Sequence, residues 1–252
     1  MKAKVLLSLV LLAGSCAAAA PARAEDPAPQ NCEVPAYLLT TESRLPRVED
    51  VIRQGRSLEI LVVGSRSSSI PSAEDSAYPA RLQVMLKDRL PSAPVRVSVE
   101  LQNKKSAEEV ASGFVKLVEE KKPKLVIWQT GTIDAMRSID PDDFRKSVTN
   151  GVIAVQNAGA DVILLNLQYS PRTETMIAVP PYLDAMRLVA EEQAVPLFDR
   201  FAIMRHWHDH GDFDLFSATR GNDLAKRVHD CLGRALAKFV VDAASLAPAG
   251  QN

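Results

Sequence analysis

Four serines, Ser65, Ser67, Ser68 and Ser69, crowd a short segment directly after an apolar run that ends at Gly64. A serine hydroxyl attacks an acyl carbon when a base takes its proton, and backbone N–H groups in a turn that opens a helix can hold the developing oxyanion. Small residues of this kind also suit a plain tight turn, so the run by itself leaves both readings open. A second dense group is His206, His208 and His210 with Asp209 and Asp212. On a helix His206 and His210 share a face, as zinc-binding pairs do. The spacing fixes no third ligand, so the expectation is a solvated helix end anchored by Trp207, with no metal. Arg172, in Ser170-Pro171-Arg172, is placed to meet an anionic group of a substrate. The stretch from Arg172 to Pro181, with apolar Met176, Ile177, Ala178 and Val179, suits a lid as well as ordinary loop packing. Glycine-rich phosphate loops and dinucleotide fingerprints are absent, since Gly64 has no second glycine within its turn. No organic cofactor is expected.

These residues depend on the elements between them for their placement. Apolar runs at 58–63, 125–128, 161–167 and 195–198 and an alternating run at 95–101 predict five strands. Helical spacing at 78–90, 107–121, 142–158, 182–193 and 224–243, with a short helix near 47–54, fills the gaps. Strands alternating with helices indicate βαβ units and a parallel sheet, and near-continuous apolar runs suit strands buried on both faces. The predicted fold is α/β: a three-layer α/β/α sandwich, flavodoxin-like, with a central five-stranded parallel sheet. In such sheets ligands bind beyond the carboxyl ends of the strands. The segments that matter are therefore Gly64–Ser69, Gln102-Asn103-Lys104, Gln129–Asp134 and Gln168-Tyr169-Ser170.

Six stretches occur together and in order: VVGSRSSS (62–69), AYPARL (77–82), KPKLVIWQTGTIDA (122–135), AGADVILLNLQYSP (158–171), VPLFDRFAIM (195–204) and HDCLGRALA (229–237). In this combination residues 57–242 resemble the SGNH/GDSL hydrolase superfamily, exported α/β/α enzymes that cleave esters with a Ser-His-Asp triad. The resemblance implies a serine nucleophile in the first block, yet two residues after Gly64 stands Arg66. Ser68, or Ser67, is the expected nucleophile instead, and His229 the expected base. Asp134 and Asp214 are the candidates to orient that His, and Ser65, Asn103, Gly131 and Arg172 the expected oxyanion or substrate contacts. The remaining blocks also depart from the pattern. The second has Gln102-Asn103-Lys104 in place of a glycine. The third has Ile133 in place of an amide-bearing asparagine. The last reads Asp214-Leu215-Phe216-Ser217, with serine in place of histidine. His229 lies inside the last helix, at the edge of its apolar stripe. The expected function is an exported serine ester hydrolase acting on a small-molecule or glycan ester; the alternative is a non-catalytic periplasmic binding or accessory protein that keeps the fold.

The 252 residues carry 30 Lys+Arg against 31 Asp+Glu, a formal charge of −1, which argues against nucleic-acid binding. Lys2 and Lys4, the apolar run Val5–Ala13 and Ala22-Arg23-Ala24 have the form of a signal peptide cleaved after Ala24. Export to the periplasm or the medium is expected, with no transmembrane segment after processing. Loss of Lys2, Lys4 and Arg23 would take the charge from −1 to −4. Cys16 keeps a lipoprotein alternative open. Residues 25–56 read as an N-terminal arm, 57–243 as the domain and 244–252 as a disordered tail. Two cysteines, Cys32 and Cys231, remain after cleavage, and in an exported chain they are expected to form a disulfide.

Overall fold

The computed structural model describes residues 32–217 and 221–245. The apolar runs form strands β1 (Leu58–Gly64), β2 (Val95–Leu101), β3 (Leu125–Gln129), β4 (Asp161–Leu165) and β5 (Leu197–Phe198). They pair in the order β2-β1-β3-β4-β5, all parallel. Every residue of β3 and β4 is buried, whereas β2 at the edge fully buries only Val95. The helices are α1 (Pro46–Arg53), α2 (Tyr78–Arg89), α3 (Ala107–Ala111), α4 (Phe114–Lys121), α5 (Thr132–Met136), α6 (Pro141–Asn157), α7 (Pro171–Met176), α8 (Pro180–Glu192), α9 (Arg200–Asp209) and α10 (Asp223–Ala243). Helices α2 and α10 pack on each other, and α6 packs against α3, α4 and α8. The result is the expected three-layer sandwich, with helices on both sides of a five-stranded parallel sheet.

Trp128 shows how tightly the layers meet. Its ring lies edge-on to Phe114 at 4.8 Å, and α6 reaches it because position 151 is glycine: a Cβ there would run into the indole. Side chains alternate along a strand, so the next residue, Gln129, is carried to the other face. Four of the ten helices are capped locally by a side chain. Ser106 and Glu109 form a capping box at α3, and Asp140, Ser170 and Asp199 accept N–H bonds at α6, α7 and α9. Helix α2 has no cap of its own. Its first N–H, from Tyr78, is accepted across the layer by His229 Nδ1 of α10 at 3.0 Å.

Several elements differ from the sequence expectation. The single helix expected at 107–121 is two, because Gly113 ends one and starts the next. Glycine disfavours a helix interior by about 1 kcal/mol relative to alanine, which makes the break cheap. Most of the segment Met204–Gly211 belongs to a longer helix, α9, that starts at Arg200 and ends at Asp209. The stretch from Arg172 begins as helix α7, capped by Ser170, instead of a loop. Ala244, assigned to the tail, is buried. Cys32 and Cys231 form a disulfide across 199 residues, with Cα atoms 5.2 Å apart. Among the described residues no helix is long and apolar enough to cross a membrane. The expected leader at 1–24, with Cys16 and the Ala24 cleavage point, lies outside the described residues.

Candidate functional site

Strand order reverses between β1 and β3, and the crevice at their carboxyl ends is where an open α/β sheet offers a ligand site. Gln129, the last residue of β3, is buried there, and three serine hydroxyls from the turn after β1 converge on its carboxamide. Its Nε2 donates to Ser65 Oγ at 3.0 Å and to Ser67 Oγ at 2.9 Å. Its Oε1 accepts from Ser68 Oγ. Ser68 Oγ also lies 3.0 Å from Tyr78 Oη. A hydroxyl has one proton, so Ser68 gives its own to Gln129 and accepts that of Tyr78. Gly64 makes this possible, because a Cβ at that position would run into Ser68 Oγ. Ser68 is buried, Ser65 and Ser67 are half-buried, and Arg66 is exposed. A cavity of about 20 Å³, room for about one water, sits beside Ser65, Gln129, Gly131 and Asp134.

Arg200 closes the other side of the serine turn. It is the first residue of α9, whose cap Asp199 is tied to Asn166 beyond β4 at 2.7 Å. Asn166 in turn accepts the Phe201 N–H at 2.9 Å. Held this way, the Arg200 guanidinium is 1% exposed. It donates to Ser67 O at 3.2 Å, Ser67 Oγ at 3.4 Å and Gln168 Oε1 at 2.8 Å, and lies 5.8 Å from the Tyr78 ring centre. Burial pushes its pKa down to about 10. Burial also holds the Tyr78 hydroxyl above its ordinary value.

His229 is buried, and burial together with the Arg200 charge pushes its pKa down to about 3. A neutral imidazole has one donor and one acceptor nitrogen. Because Nδ1 accepts the Tyr78 N–H, the proton resides on Nε2. His229, Arg200, Gln168 and Ser170 share a second cavity of about 210 Å³ with Met204, Leu215, Leu224 and Val228.

The site residues expected from sequence are only partly brought together. Ser65, Ser67 and Ser68 meet on Gln129, and His229 stands behind Tyr78, with no hydrogen bond to Ser67 or Ser68 among the described residues. Neither candidate acid bonds His229. Asp134 is buried and accepts the Ala107 N–H at 2.9 Å, and burial raises its pKa. Asp214 accepts from its own turn, and the Ser217 hydroxyl, then the Ser217 and Phe216 N–H groups, lower its pKa. Asn103 is exposed and lines neither cavity. Gly131 caps α5 at φ +97° beside the small cavity. Arg172 is exposed, with its guanidinium over the Phe216 ring at 5.9 Å. His206 and His210 stack at 3.9 Å, and among the described residues no three His, Cys, Asp or Glu side chains are grouped to hold a metal. Gln129 and Gln168 stood in strand-end segments expected to matter but had no role of their own, and Tyr78 and Arg200 had no site role in the sequence reading. For Gln129 and Gln168 the visible signal is a polar residue at the end of an apolar run.

The sequence matches the non-GDSL lipase-like family over residues 31–246. No curated protein matches it. Among solved structures it is similar to TesA, with 20% identity and a TM-score of 0.59 over 73% of this chain and 99% of that one. A catalytic variant of Axe2, an acetylxylan esterase from Geobacillus stearothermophilus, superposes with TM-score 0.58 at 17% identity, over 73% and 94% of the two chains. The esterase EstA from Pseudoalteromonas sp. gives 0.54 at 16%, over 71% and 93%. At such identities the likeness establishes the SGNH/GDSL hydrolase fold and nothing of the chemistry.

Proposed function

The chain belongs to the non-GDSL lipase-like family, and from that premise we propose that it is an exported ligand-binding protein on an ester-hydrolase fold, holding a small molecule at its rim without cleaving it. The observation that carries this reading is the bond from Tyr78 N–H to His229 Nδ1. A serine hydrolase needs an imidazole whose free lone pair faces the serine while its other nitrogen donates to an orienting carboxylate. His229 has the opposite tautomer: its lone pair is taken by a backbone N–H, and its proton sits on Nε2. It donates and does not abstract. The serines point the same way. Ser68 is buried and gives its proton to Gln129, and Ser67 Oγ already accepts from Gln129 and Arg200. Two donors that would hold an oxyanion are replaced by Ile133 and by a segment without glycine. Loss of one such donor costs about 10²–10³ in rate. Export is supported by the Lys2/Lys4, Val5–Ala13 and Ala22-Arg23-Ala24 pattern and by the disulfide.

Ester hydrolysis from Ser67 is the second reading, favoured by one observation: Ser67 is half-buried while Ser68 is enclosed. The two are separated by treating the disulfide-bonded protein with a fluorophosphonate probe and mapping any adduct by mass spectrometry. The binding reading expects no adduct on Ser65, Ser67 or Ser68. An adduct on Ser67 or Ser68 that disappears in His229→Ala would overturn it and establish the hydrolase.

A further inference from the structure

We infer that the cavity between α9 and α10 binds a small carboxylate with a short apolar tail, the carboxylate facing Arg200 and His229. This deepens the proposed ligand-binding role and rests on it. Arg47, Arg81, Arg137 and Arg145 all meet carboxylates, although each is partly exposed. Arg200 is fully buried and, among the described residues, has no carboxylate within ion-pair distance. Its neighbours are neutral: Ser67, Gln168 and the face of Tyr78. Its Nε–H is enclosed with no acceptor. A buried charge without a counter-charge is costly, and natural proteins pair such groups.

The cavity that Arg200 lines has the complementary chemistry. His229 Nδ1 is committed to Tyr78, so its Nε2–H is the nitrogen left to donate. Gln168 must present Oε1 to the guanidinium, which only donates, so its NH₂ is the end left to donate. Three donor side chains and no carboxylate therefore share one cavity, and an anion satisfies all of them. The lining also has apolar residues, Met204, Leu215, Leu224 and Val228. At about 210 Å³ the cavity lies below the roughly 300–1,000 Å³ of drug-sized sites, which limits the tail to a few carbons. Guanidinium with a carboxylate forms short, charge-assisted bonds, whereas an alcohol or an ester gains none of that charge.

The test is calorimetric titration of the disulfide-bonded protein with hexanoate and, separately, with 1-hexanol. Saturable hexanoate binding is expected, with 1-hexanol at least about tenfold weaker, and Arg200→Gln is expected to lower hexanoate affinity to the level of the alcohol. Because Arg200→Gln alters a buried group and can impair folding, a second measurement uses the wild-type protein: the Arg200 Nε–H resonance should shift on adding hexanoate and stay fixed with 1-hexanol. Equal affinity for acid and alcohol, or no saturable hexanoate binding, would overturn the inference. Fluorophosphonate treatment of the same sample separates the two proposals. Hexanoate binding together with a serine adduct upholds the pocket and overturns the non-hydrolytic reading. Absence of both upholds that reading and overturns the pocket.

Discussion

Replacing His229 by asparagine should remove a large part of the protein's sensitivity to mild acid. The folded ring is kept neutral, with its pKa pushed down to about 3 by burial and by the Arg200 charge. In the unfolded chain histidine titrates near about 6.5. For a base depressed in this way, the unfolded state takes up a proton that the folded state refuses. Stability is therefore full above the unfolded value and falls as pH drops from about 6.5 towards 3. At about pH 5 the unfolded state is favoured by a factor of about 30, or about 2 kcal/mol, relative to pH near 7.5. Asparagine places Oδ1 where Nδ1 was, so it still accepts the Tyr78 N–H, but it does not titrate. Urea unfolding of both proteins at the two pH values isolates the effect. Asp134 and Asp161, whose pKa values burial raises, act in both proteins and cancel in the comparison. The wild type is expected to lose about 2 kcal/mol more than His229→Asn on acidification. Equal losses in the two proteins would refute the buried, neutral histidine.

Gln129→Leu takes the acceptor from buried Ser68 and the donor from Ser65 and Ser67, and is expected to cost about 1–3 kcal/mol in denaturant unfolding. An unchanged midpoint would show that the serines do not depend on the carboxamide. Gly64→Ala forces a Cβ into Ser68 Oγ and should destabilise by about 1–3 kcal/mol, whereas Ser68→Ala in the same background should recover part of that loss. Additive losses in that cycle would contradict the close approach. Joint Cys32→Ser and Cys231→Ser opens a link across 199 residues, and chain entropy sets an upper bound of about 5 kcal/mol on the loss. Identical unfolding of the two proteins under non-reducing conditions would count against the bridge.

The fold was readable in the chain because its strands have a single environment. A run such as Leu125–Trp128 is apolar throughout, since both faces of a central parallel strand are covered, and that signature needs no partner to be recognised. The disulfide was readable too: with Cys16 assigned to the expected leader, Cys32 and Cys231 leave one pairing. Helix α9 was seen only at its far end. It opens on Arg200, a charged residue of a type mostly found exposed, and tertiary packing encloses it. The break between α3 and α4 was marked by Gly113 but outweighed by the apolar stripe running through it.

The site divides along the same line. The crowd of serines after β1, Arg66 in the expected place of a nucleophile, and Ile133 and Ser217 in place of an asparagine and a histidine are properties of the sequence, and they raised the question of catalysis. What the serine hydroxyls bond to is decided elsewhere, by a glutamine 61–64 residues away and an arginine 133 residues away. The tautomer of His229 depends on a backbone N–H 151 residues distant. Periodicity and local spacing record which face of an element is buried. They do not record which two polar groups meet once the layers close, because that is set by how sheet and helices pack and not by distance along the chain.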